Sequence, residues 1–168
     1  MRLIFISLAF SFISCTPKGF VSVSKDVEEK CISPRNKWKG RSFHSLRVRL
    51  YDEGKLDFIN SALDTLYMLE TYEVESGTYA GRIWNSKNAI NYTFVNNKFT
   101  FDKQDRFTAY TVRLVQNWDT AAIRKEESMN ANMLPENYVN GTRVFIERTR
   151  AVVECVKFKE FFSLERDR

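Results

Sequence analysis

The residues of this chain whose types and spacing bear on chemistry are three cysteines, one histidine, a few carboxylates and a set of aromatic rings. Nucleophilic catalysis by serine or cysteine usually needs an imidazole base. The single histidine is His44, and no serine or carboxylate motif beside it marks a partner. Glu126 and Glu127 are neighbours on an expected helix and therefore diverge, while Glu73 and Glu75 share one strand face without a second carboxylate opposite. No phosphate-binding loop, HExxH or calcium-loop pattern occurs. No catalytic residue, cofactor or metal is assigned on these grounds; two distant cysteines and one histidine make no zinc site. Trp84 and Trp118 are the candidates for a platform on which a sugar or another ring-bearing ligand would stack. In a chain that is 14% aromatic, core packing is the competing use of those rings.

The N-terminus is more specific. Arg2 is followed by a run from Leu3 to Ile13 that is apolar except for Ser7 and Ser11, and then by Ser14 and Cys15. The run is too short for a transmembrane helix, which needs about 20 apolar residues, and it has the layout of a secretory signal peptide. The stretch FISC, residues 12–15, resembles the lipobox of bacterial lipoproteins, in which the cysteine thiol is diacylated and becomes the new N-terminus. Phe12 stands where such signals most often have leucine, and the resemblance covers residues 1–15 only. It implies a signal peptide over 1–14, lipidation at Cys15, a lipid-anchored tether over 15–42 and a single globular domain over 43–164. Such a protein is anchored in the cell envelope, with the membrane and an envelope protein or glycan as partners. The alternatives are secretion without a lipid, and a secreted or periplasmic enzyme whose site only the fold assembles.

With Cys15 set aside, Cys31 and Cys155 remain. An even pair in an oxidising compartment points to a disulfide, and two buried free thiols are the alternative. The chain holds 26 Lys and Arg against 21 Asp and Glu, a net charge of +5. That excess is too mild for a nucleic-acid-binding footprint. The basic run Arg35 to Arg41, with Trp38 inside it, reads as a solvated loop or as a contact with anionic headgroups.

Elements follow from periodicity. Leu46, Val48 and Leu50 alternate with Arg47 and Arg49, which predicts a strand, and Leu56, Ile59, Leu63 and Leu66 predict a helix over 55–70. Strands are expected over 74–84, 90–94, 99–101 and 110–114, with Asn96-Asn97 as a tight turn. Asp119 caps a short second helix that ends near Asn130. The stretch 143–162 has charges at helical spacing but β-branched composition, and is read as two closing strands. The fold class expected is α+β, an antiparallel meander packed by one amphipathic helix with a short second helix. Asn91-Tyr-Thr93 and Asn140-Gly-Thr142 match the glycosylation acceptor pattern, which has meaning only in a eukaryotic secreted protein.

Overall fold

The computed structural model describes residues 19–32, 42–60, 64–73, 75–102, 107–129, 137–147 and 150–160. Among them, helices α1 (Phe20–Cys31) and α2 (Phe43–Asp52) precede strands β1 (Leu66–Glu73), β2 (Thr78–Trp84), β3 (Ala89–Val95) and β4 (Lys98–Phe101). Helices α3 (Ala109–Gln116) and α4 (Thr120–Met129) follow, and β5 (Asn137–Glu147) and β6 (Arg150–Glu160) close the fold. The strands form one sheet in the order β4-β3-β2-β1-β5-β6, with every neighbouring pair antiparallel. The expected α+β meander is the architecture observed, with β5 returning to pair with the first strand.

Alternation along the strands gives the sheet two faces. Leu66, Met68 and Glu70 of β1 share a face with Ile83 and Gly81 of β2, Tyr92 and Phe94 of β3, Val144 of β5 and Val153 of β6. Helices α1 and α2 cover this face through Phe20, Val23, Val27, Phe43, Leu46 and Leu50, all buried. The opposite face carries Leu69, Trp84 and Val139, packed with Phe107, Val112 and Val115 around α3 and Ile123 of α4. Both faces of β1 are therefore covered, which explains why its residues lack the alternation of a half-buried strand.

That is the physical reason for the first correction. The leucines expected on a helix over 55–70 are divided instead: Leu56 is buried ahead of a short 3-10 turn (Asp57–Asn60), and Leu66 opens β1. The second correction concerns Leu46–Leu50, which lie on a helix. Ser42 and Ser45 form a reciprocal cap, each hydroxyl accepting the other's backbone N–H (3.2 and 3.3 Å). Phe43, Leu46, Arg47 and Leu50 then fall on one helical face, and all four are buried. The third is Tyr110–Leu114, which lies in α3, opened by the Thr108 hydroxyl accepting the Thr111 N–H at 3.1 Å. The expected tether over 15–42 contains α1, whose buried side chains make it part of the domain.

Other expectations hold. Asn96 and Asn97 both have positive φ (49° and 64°), the geometry of a two-residue hairpin turn between Val95 and Lys98. Asp119 caps α4, its Oδ1 accepting the Ala122 N–H at 2.9 Å. The closing segment forms strands, and the charge spacing that favoured a helix becomes cross-strand pairing: Arg143 lies opposite Glu154, with Nε donating to Oε2 at 2.8 Å. Glycosylation of the folded chain at Asn140 is excluded, because that residue is buried in β5.

Cys31 and Cys155 are joined by a disulfide across 124 residues, tying the C-terminal end of α1 to edge strand β6. In the chain-entropy model a loop of this length contributes about 4–5 kcal/mol. Urea unfolding with and without reductant should therefore show a loss approaching that amount, and the Cys31→Ser/Cys155→Ser variant should match the reduced protein. An unchanged midpoint would mean that the bridge does not constrain the unfolded chain.

Candidate functional site

The densest group of ionisable side chains lies between α1, α2 and the centre of the sheet. Ser24 and Glu28 stand one turn apart on α1, Arg47 lies mid-way along α2, and Glu70 projects from β1; all four are buried. Arg47 uses each of its nitrogens. Nε donates to Glu70 Oε1 (2.9 Å), Nη2 to Glu28 Oε2 (3.2 Å), and Nη1 to the Ser24 carbonyl and hydroxyl (2.7 and 2.9 Å). The Tyr92 hydroxyl donates to the same Glu70 oxygen at 3.1 Å, and Asn140 Nδ2 donates to the Glu70 carbonyl at 3.4 Å.

Gly81 makes room for Tyr92. The two are paired across β2 and β3, and a Cβ on Gly81 would meet Tyr92 ring and hydroxyl atoms at 2.5 Å. The ring is fully enclosed and its hydroxyl engaged, so it has no free direction in which to yield.

His44 joins the group from the first turn of α2. Its backbone N–H donates to Glu28 Oε2 at 3.0 Å, and its Nδ1 lies 3.0 Å from the Ser24 hydroxyl. Ser24 Oγ thus links the His44 ring to Arg47, accepting from Nη1 and sharing a hydrogen bond with His44 Nδ1. Burial, and after it the Arg47 charge, lowers the His44 pKa from its ordinary value of 6.5. A serine bonded to the only histidine resembles a nucleophile and its base. Here the serine is wholly buried and its oxygen is engaged by Arg47, so the pair acts as a structural clasp.

Burial raises the Glu70 pKa, with Arg47 opposing that shift only in part. Glu70 Oε2 receives no hydrogen bond from the described residues, so only one of its oxygens is held as an anion's would be. Burial, with the Glu70 charge adding to it, places the Tyr92 hydroxyl well above its ordinary pKa.

Trp84 and Trp118 come together in the cluster on the opposite face. Trp84 is buried, stacked on Tyr67 at 5.4 Å, with the Arg82 guanidinium 5.4 Å from its ring. Trp118 is half-buried and follows α3 in the left-handed region (φ 53°). There the Trp118 and Asp119 N–H groups bond the Val115 and Leu114 carbonyls at 3.1 and 3.0 Å. A bulky residue in that conformation costs roughly 1–2 kcal/mol, and packing holds it, including the Arg143 guanidinium 4.8 Å from the ring. Of the two, Trp118 is the ring that reaches the surface.

Glu75 is exposed on the turn before β2, and Glu73 accepts a hydrogen bond from the Ser76 hydroxyl at 2.7 Å. Cys15, Trp38 and the Glu126 and Glu127 side chains lie outside the described residues. The sequence reading missed Ser24, Glu28, Arg47, Glu70 and Tyr92 as a group. The available signal was Phe43, Leu46 and Leu50 at helical spacing with Arg47 among them. Among the described residues no cluster of three or more His, Cys, Asp or Glu is placed to hold a metal ion, and no helix is long and apolar enough to cross a membrane.

Two predictions follow from the ionic cluster. Arg47→Met strands two buried carboxylates and should cost about 3–5 kcal/mol in urea unfolding, whereas Glu70→Gln retains an acceptor and should cost less. Because folding raises the Glu70 pKa, its contribution is complete below the unfolded value of 4.5 and is lost as pH rises through the folded pKa. His44 acts oppositely: its contribution is complete above 6.5 and is lost as pH falls through its lowered pKa. The stability gap between wild type and Glu70→Gln should narrow as pH rises; a gap that widened would refute the assignment. Separately, Gly81→Ala should destabilise by about 1–3 kcal/mol through overpacking, read as a lowered Tm.

No family model, curated protein or solved structure matches this chain.

Proposed function

We propose that this is a lipid-anchored protein of the cell envelope, with a domain that binds or scaffolds. The observation that carries the reading is the order Arg2, an apolar run, Ser14 and Cys15, followed closely by the start of the fold at Phe20. Residues 1–14 direct export, and the acylated Cys15 holds the domain to one leaflet. Several acyl chains on one residue give stable anchoring where a single chain gives only marginal binding.

The Cys31–Cys155 bridge supports this reading, since disulfides persist in exported proteins and are rare in reducing compartments. A binding role is favoured over catalysis by the use of the ionisable core: the lone histidine, Ser24, Arg47 and Glu70 are all engaged in holding helices to sheet. Half-buried Trp118 with Arg143 beside it is the aromatic to test against glycans.

The decisive experiment replaces the anchor residue. The wild type should fractionate with membranes and incorporate labelled fatty acid, and Cys15→Ala should lose both while keeping its fold by circular dichroism. Membrane fractionation of Cys15→Ala without label uptake in either protein would show the reading to be wrong.

A further inference from the structure

Where the chain enters the fold decides which surface faces the bilayer, and this inference rests on the acylation of Cys15 proposed above. Phe20, the first residue of α1, is five residues beyond Cys15. A chain extends by at most about 3.6 Å per residue, so the first turn of α1 lies within roughly 18 Å of the acylated residue. At 1.5 Å per residue α1 is itself about 18 Å long. Its far end is tied to β6 through Cys31. The near end is thus the end of α1 that an acylated Cys15 would hold close to the lipid surface.

The near end has an unusual surface. Val21 (44% exposed) and Phe101 (43%) are the exposed large hydrophobic residues among those described. Phe101 adjoins the C-terminal end of α2, and so does Phe20, the chain neighbour of Val21. Phe20 stacks on Tyr51 at 5.3 Å, and Lys55, just past the helix, places its Nζ 5.4 Å from the Phe101 ring. Phe101 also stacks on Phe99, and the Arg49 guanidinium lies 5.1 Å from the Phe99 ring. The charge there carries no positive excess: Arg49 is paired with Glu53 at 2.9 Å, and Asp52 and Asp57 flank Lys55 in sequence. An exposed Phe101 ring and Val21 side chain on a surface without net positive charge fit the interfacial zone of a bilayer better than an anionic polymer. Lysine stems lie along apolar surface while their ammonium groups reach the headgroups.

We propose that this end of the domain, with Val21 and Phe101 at its surface beside Tyr51 and Lys55, rests on the bilayer as a second membrane contact next to the lipid anchor. The domain stands on the first turn of α1 and the C-terminal end of α2, leaving the α3–α4 side of the sheet and Trp118 free for a partner.

The test uses the full mature lipidated chain in phosphatidylcholine–phosphatidylethanolamine vesicles. A photoreactive phenylalanine replaces Val21, Phe101 or Arg124, the last being an exposed α4 residue on the opposite side of the sheet. Crosslinking to labelled phospholipid at positions 21 and 101, several-fold above position 124, supports the contact. Equal or background crosslinking at all three overturns it, while labelled fatty acid on the same samples shows that the anchoring reading stands. Absence of that label from every sample overturns the anchoring reading and the contact together.

Discussion

Arg47 is fully buried, and a guanidinium cannot shed its charge to suit an apolar site. Its solvation must come from the protein, and the arrangement of α1, α2 and the sheet is the one that supplies it. Ser24 and Glu28 meet it from α1, Glu70 meets it from β1, and Glu70 is held in turn by the Tyr92 hydroxyl from β3 and, at its backbone carbonyl, by Asn140 from β5. Apolar contacts alone tolerate sliding of helices over a sheet. A buried guanidinium with its nitrogens all engaged tolerates little, so this group sets the register of the helical layer.

The same requirement reaches further along the chain. Tyr92 can approach Glu70 only because Gly81 opposite it has no side chain, so a small residue in β2 is a condition of an ion pair between α2 and β1. The imidazole of His44 and the hydroxyl of Ser24 form a hydrogen-bonded path to Arg47, and the carboxylate of Glu28 joins Arg47 to the His44 backbone N–H. Groups that would be reactive in a cleft are here engaged in holding the interior together.

The other face of the sheet is held differently. Cation–π and stacking contacts join Arg143, Trp118, Phe145, Tyr67 and Trp84, with the Arg143–Glu154 pair between the last two strands. The disulfide then ties the first helix to the last strand, so the earliest and latest elements of the fold are covalently one unit. Any pull on the chain upstream of α1 would therefore be passed to the whole sheet and not to a detachable helix.

Much of the fold was legible in local chemistry. The hairpin at Asn96-Asn97, the capping Asp119, the β-branched closing strands and the spacing of Cys31 and Cys155 are short-range or compositional signals, and the structure agrees with them. What only tertiary structure decided is where periodicity is ambiguous or absent. Leu46, Val48 and Leu50 fit a strand and a helix equally over five residues, and β1 loses its alternation because helices cover both its faces. The ionic cluster was beyond sequence reading for a related reason. Its members are 19 and 23 residues apart for Glu28 and Glu70 from Arg47, and an arginine among leucines looks like a solvated one until the strand that neutralises it is in place. Local rules determine which short elements form; long-range charge pairing decides which of their faces turn inward.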